Sequence, residues 1–179
     1  FSARQGDLNL PAALEALTVY YSNHVLQLST VLYQQETLVS HLVTGWNNFI
    51  DSFRDMLREQ GYFGHPALEL FEQSLRLVRR ISDAPEQDIA HFISAVQEQA
   101  LLLPEWTLKN LGAYARNFCA YYIHRNHPSL NGVLLTLYQE HLNKGWLYEH
   151  GMLQPTTLMN MVTIGLRCGQ HHWVLDMLT

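Results

Sequence analysis

The chain is poor in most of the features that mark specialised classes of protein. It has two cysteines in 179 residues, too few for a disulfide framework. Both Cys119 and Cys168 lie inside apolar helical patterns, which fits small buried thiols and a reducing, cytoplasmic setting. Charged residues are sparse at 15%, and the net charge of -5 leaves no basic field to draw in nucleic acid. The densest basic spot, Arg76 to Arg80, is interleaved with Leu75, Leu77, Val78 and Ile81, the pattern of a solvated helix face rather than a phosphate site. No apolar run approaches the roughly 18 residues needed to span a bilayer, and no signal peptide is visible. Glycine-rich phosphate loops, low-complexity stretches, domain linkers and period-two strand patterns are all missing.

What the chain does have is 47% hydrophobic residues, almost all spaced with helical period. Pro11 fits a first turn, followed by a stripe of Leu14, Leu17, Tyr21, Leu28 and Leu32. A second helix over 39–59 carries Leu42, Trp46, Phe49, Phe53 and Met56/Leu57, and Gly61 ends it. Pro66 opens a third helix that runs to about Ile81. Ser82-Asp83 before Pro85 reads as a cap and a restart, and the helix that follows carries Ile89, Phe92, Ile93, Val96 and Ala100. A fifth helix begins at Pro104, with Leu108, Leu111, Ala115, Phe118, Cys119 and Tyr122 on its stripe, and Pro128 stops it. Ser129 is expected to cap a sixth, with Leu134, Leu137, Tyr138, His141 and Leu142, and Thr156 or Thr157 a seventh. An eighth begins after Gly169.

Eight helices with short joints predict antiparallel neighbours, either a closed bundle or a stack of helical hairpins. The segments "LYQQE" at 32, "LFEQS" at 70 and "LYQEH" at 137 share a Leu-aromatic core, at separations compatible with a hairpin repeat of about 34 residues. The reading is therefore all-α: a right-handed superhelix of about four antiparallel hairpins over a single domain, 1–179. The hairpins are expected at roughly 11–59, 66–102, 105–149 and 156–179. The chain opens on Phe1-Ser2-Ala3 and closes on "GQHHWVLDML" plus one threonine. A slice of a longer array would end in this way, on an interface where another hairpin or a second copy docks around Trp173 and Leu178.

The segments "NFCAYYIHRN", "LYQEHLNKGWLYEHGMLQP" and "NMVTIGLRCGQHHWV" resemble a group of uncharacterised bacterial proteins with TPR-like helical repeats. The likeness covers roughly 105–178, with looser similarity around "YYSNHVLQLSTVL" and "GYFGHPALELF". It implies a multi-helical repeat fold within a longer chain, and brings no activity or catalytic residues. After Pro155 the chain reads Thr156-Thr157-Leu158-Met159, where that group carries an aromatic and a lysine, so no groove contact is carried over.

Ten histidines raise the question of metal. His124 and His127 are separated by a helix end at Pro128, His171 and His172 point about 100° apart on a helix, and Glu149-His150 precedes a turn. Nothing has zinc-finger or HExxH spacing. No metal site, cofactor or catalytic nucleophile is expected; the histidines read as surface and groove residues. In a stack, the flank of the fifth helix presents Arg116, Asn117, Tyr121 and His124 to a concave groove, and the seventh presents Asn160, Thr163 and Arg167. Amide and guanidinium groups there suit a peptide backbone or carboxylate. The expected function is a non-catalytic scaffold for protein–protein interaction. The alternatives are an enzyme or metal-binding domain using groove histidines, and a helical-repeat RNA-binding module. The net charge and the lack of a repeated base-reading pair disfavour the RNA reading.

Overall fold

The computed structural model describes residues 10–34, 40–79 and 82–178. Among them are eight α-helices: α1 (Leu10–Gln34), α2 (Ser40–Glu59), α3 (Pro66–Arg79), α4 (Pro85–Glu98), α5 (Glu105–Ile123), α6 (Leu130–Asn143), α7 (Pro155–Arg167) and α8 (His171–Leu178). No helix is long and apolar enough to cross a membrane among the described residues. The helices fall into two compact units, Phe1–Arg79 and Arg80–Thr179. The expected hairpin over 66–102 straddles that division, α3 belonging to the first unit and α4 to the second.

In the first unit, α1 packs chiefly against α3 and less closely against α2. The face that α1 buries is not the leucine stripe expected from its sequence. Val19, Ser22, Leu26, Ser29, Thr30 and Tyr33 are buried, whereas Leu14, Leu17, Tyr21 and Leu28 are exposed. The buried serines and threonine are small, which lets a neighbouring helix approach closely. Ser29 and Thr30 return their hydroxyls to the carbonyls of Val25 and Leu26 at 2.6 and 2.8 Å, so burial leaves no donor unsatisfied. On α2, Ile50 and Leu57 are buried while Phe49 and Met56 are exposed; the expected contribution of Leu42 lies outside the described side chains. Gly61 ends this stretch as expected, at a φ of 75° that suits a residue without Cβ.

In the second unit each helix packs mainly on its sequence neighbours, α4 on α5, α5 on α6, α6 on α7 and α7 on α8. Ile89, Phe92, Leu111, Phe118, Leu130 and Leu134 are all essentially inaccessible, each contributing about 1.5–3 kcal/mol of apolar burial. The helix ends share a local device. After α5, α6 and α7, a residue with positive φ (Asn126, Gly145, Gly169) is followed by an amide that reaches back five residues. His127 N–H donates to Tyr122 O, Trp146 to His141 O and Gln170 to Gly165 O, at 3.1, 2.8 and 2.8 Å, satisfying carbonyls the helix leaves open.

The helix starts correct three expected caps. Ser82 Oγ accepts from Ala84 N–H at 3.1 Å, tightening the turn one step ahead of Pro85, and Ala84 holds the N-cap position without a side-chain bond. Ser129 has helical φ and ψ, not the extended backbone that lets a capping hydroxyl reach into the first turn; it donates instead to Glu86 Oε1 at 2.7 Å. Gln154 precedes α7 and Pro155 opens it, so Thr156 and Thr157 already lie inside the helix. The sequence also concealed a two-stranded hairpin, β1 (Tyr148–Glu149) and β2 (Met152–Leu153), antiparallel with Tyr148 opposite Leu153. Its tip, His150-Gly151, has φ of 52° and 78°, the two positive values of a type I′ turn.

Candidate functional site

An apolar cavity lies in the second unit. It holds about 80 Å³ and is walled by α4, α5 and α6. Phe92, Ile93 and Val96 of α4 face Leu108, Leu111 and Ala115 of α5 across it, and Leu137 of α6 and Trp146 complete an apolar lining. Its polar groups are few: Gln97, Glu140, His141 and Lys144. The partial exposure of Ile93, Val96 and Leu108 on otherwise core-facing stripes follows from this: they border a hollow.

His141 sets the polarity of the wall. It is buried, and its Nδ1 meets Arg116 Nη1. A guanidinium only donates, so Nδ1 accepts and the ring proton sits on Nε2. Burial first, then the nearby charges of Arg116 and Lys144, pushes the imidazole down to about 3, which keeps it neutral at ordinary pH. The Cε1 edge of the ring approaches α5 closely because position 112 is glycine. A Cβ there would stand 2.4 Å from His141 Cε1 and 2.7 Å from Nε2. Trp146 lies beside the imidazole at an interplanar angle of 39°, centroids 5.1 Å apart. Its Nε1 donates to Glu105 Oε1 at 2.9 Å, tying the turn after α6 to the first turn of α5, and Lys144 Nζ sits 4.5 Å from the indole centroid.

The groove residues expected from sequence are dispersed. Arg116 turns inward to His141, with its guanidinium 5.8 Å from the centre of the Tyr138 ring, and burial lowers its pKa. The side chain of Asn160 on α7 hydrogen-bonds Tyr138, so α6 brings Arg116 and Asn160 onto one tyrosine. Asn117 and His124 are exposed on the side of α5 opposite the cavity, and Tyr121 beside them carries Arg125 at 3.4 Å over its ring. Thr163 returns its hydroxyl to Met159 O at 2.8 Å, and Arg167 is exposed. The cavity thus opens on the other face of α5 from the expected groove.

The remaining chemical candidates do not converge. His124 is exposed, whereas His127 meets Glu86 Oε1 at 3.0 Å. Bonds from Ser129, from the backbone and from His127 hold the Glu86 carboxyl below its usual range. Among the described residues no three His, Cys, Asp or Glu side chains gather as metal ligands would. Cys119 is buried, and burial pushes its thiol up to about 12, where it is no nucleophile at neutral pH. Beside the cavity, the turn Ala100–Leu102 leaves Leu101 99% and Leu102 71% exposed, while Ala100 lines the cavity itself. Neither Gly112 nor the exposed leucine pair stands out in sequence. The available signal was a glycine in mid-helix on an otherwise large apolar stripe. No protein-family model, curated protein or solved structure matches this chain.

Proposed function

We propose that the chain is a non-catalytic interaction module that takes a large apolar side chain of a partner polypeptide into the cavity of the second unit. One observation carries the reading: a solvent-facing leucine pair, Leu101 and Leu102, adjoins a ready-made apolar hollow. An apolar surface beside a pocket is the usual mark of a binding face. The volume of about 80 Å³ suits one aliphatic or aromatic group and falls well short of the roughly 300–1,000 Å³ of small-molecule and cofactor sites. His141 Nε2–H offers a donor to a backbone carbonyl next to the anchor, and Glu140 and Lys144 provide a polar rim. Packing between sequence neighbours in the second unit supports the wider reading of TPR-like hairpins stacked as a superhelix. The free thiols Cys119 and Cys168 support a cytoplasmic setting.

The test is selection from a random dodecapeptide library on the immobilised chain, repeated with Val96→Phe and Ala100→Phe, which fill the hollow. Enrichment of peptides with a Leu, Phe, Met or Trp anchor is expected, with affinity at least tenfold weaker for the filled variants. Absence of enrichment, or peptides that bind the filled variants equally well, overturns the proposal.

A further inference from the structure

His141 is only 3% exposed, yet one of its two ring nitrogens is unused. Arg116 occupies Nδ1. Nε2 has no partner among the described residues and is not sealed from solvent. The ring lines the apolar cavity, so its Nε2–H is open there. A buried donor left unpaired is costly, and whatever fills the hollow gains by bringing an acceptor. The charges around the ring decide which acceptor suits it. Arg116 stands behind the imidazole, desolvated and with no carboxylate in ion-pair range among the described residues. Lys144 acts on the same ring, its Nζ held over the Trp146 indole. Against them stands Glu140, half-buried in the cavity wall; Glu105 is engaged with the Trp146 N–H. Two cations against one carboxylate leave the polar end of the hollow positive. A backbone carbonyl can meet Nε2–H, but a carboxylate is the stronger acceptor and also offsets a desolvated cation.

We infer that the partner segment carries an aspartate or glutamate beside its apolar anchor, and that this carboxylate accepts from His141 Nε2–H in the field of Arg116 and Lys144. The inference rests on the peptide-binding reading of the cavity and adds the partner's chemistry: an apolar side chain fills the hollow and an acidic one closes its polar end. The exposed Leu101 and Leu102 carry the contact surface on past the cavity. The segment therefore runs across the site instead of ending in it, which makes the carboxylate a side chain's and not a chain terminus. Arg116 touches no ligand. It is a positioning residue that keeps the ring proton on Nε2 and supplies charge from behind.

The experiment resynthesises the selected dodecapeptides with amidated C-termini and measures each by fluorescence anisotropy beside a form in which Asp or Glu becomes Asn or Gln. An acidic residue next to the anchor is expected in the selected set, and neutralising it is expected to weaken binding about tenfold. The ratio of acid to amide affinity is then read in three variants. Arg116→Met and Lys144→Gln are expected to shrink it, and Glu140→Gln to enlarge it; general damage to the fold would weaken both peptides and leave the ratio alone. Selected peptides without an acidic neighbour, a ratio near one, binding that needs a free C-terminus, or a ratio that all three variants leave unchanged each overturns the inference while apolar anchoring stands. A selection that yields no anchored peptide overturns the peptide-binding reading with it.

Discussion

The two units handle buried charge in opposite ways. In the first, Glu72 is buried between Arg54 and Arg76, and Asp51 receives Arg79 at 2.7 Å and Arg54 at 3.3 Å. Arg79 also bonds the Tyr33 hydroxyl at 3.0 Å, so the network ties α1, α2 and α3 together. In the second unit, Arg116 is desolvated with no carboxylate within ion-pair distance among the described residues; a neutral imidazole and a tyrosine ring surround it. The difference teaches where each unit is vulnerable. Paired charges are costly to break because the survivor is stranded. A lone cation strands no opposite charge when it goes, only the buried Nδ1 acceptor of His141, and while present it forbids its neighbour a proton.

The sharpest way to break this comparison is to remove one charge from each unit. Glu72→Ala is expected to lower the stability of the first unit by about 3 kcal/mol, the low end for a broken buried pair, because Arg54 keeps only its 3.3 Å contact to Asp51. Arg116→Met, which keeps an unbranched apolar chain and orphans no carboxylate, is expected to cost less, about 1 kcal/mol, since only the neutral Nδ1 of His141 loses its donor. Urea unfolding of both variants, followed by circular dichroism, reads the difference. Equal losses would mean that the two units do not differ in this respect.

Acid titration separates them next. The folded value for His141 of about 3 lies below the unfolded histidine value of about 6.5. In the window between them the unfolded chain holds the extra proton. The stability contributed by neutral His141 is thus complete above about pH 6.5 and lost as pH falls toward 3, at a slope approaching about 1.4 kcal/mol per pH unit. Asp51, held below its usual range first by its bond from Arg79, has the same sign, but its loss begins only in the ordinary aspartate range and below. Hydrogen exchange at pH 7, 5.5 and 4.5 should therefore show the second unit softening before the first. A second unit no softer at pH 4.5 than at 7 would contradict the buried neutral imidazole.

The smallest effects compare glycines within the second unit. Gly112→Ala places a methyl against the His141 ring and is expected to cost about 1–3 kcal/mol by overpacking. Gly132→Ala, on an exposed turn of α6 with nothing within 4 Å, is expected to stabilise by about 0.5–1 kcal/mol through helix propensity. Thermal melts give both signs, and a stabilising Gly112→Ala would show that the imidazole is free to yield.

Much of the helical order is legible in the sequence because proline and glycine act locally. Pro66, Pro85 and Pro155 each open a helix and Gly61 and Gly169 each follow one, because fixed φ and free φ are properties of single residues. The buried face of α1 was illegible for a physical reason. Both sides of that helix carry apolar residues, and the leucine side is the greasier, yet small Ser22, Ser29 and Thr30 permit the closer approach. Caps at Ser82, Ser129 and Thr156 were misplaced because a hydroxyl near a helix start has other acceptors and donors within reach. For the candidate site, the stripes of α4, α5 and α6 could be read, His141 among them. That they leave a hollow could not, since a cavity depends on how three helices fail to fill the space between them.

The helix endings of the second unit bear on how quickly it forms. Stops at Asn126, Gly145 and Gly169 are closed by bonds spanning five residues, and each helix then meets the next one along the chain. Short loops close fast, so this unit belongs with low-contact-order folds, which need no distant segment before they begin to gain structure. The main pairing of the first unit joins α1 to α3 across the whole of α2. The chief interface of the first unit therefore cannot form until α3 is present, and a chain that ends short of α3 is expected to leave the core face of α1 without its main partner and open to misassociation.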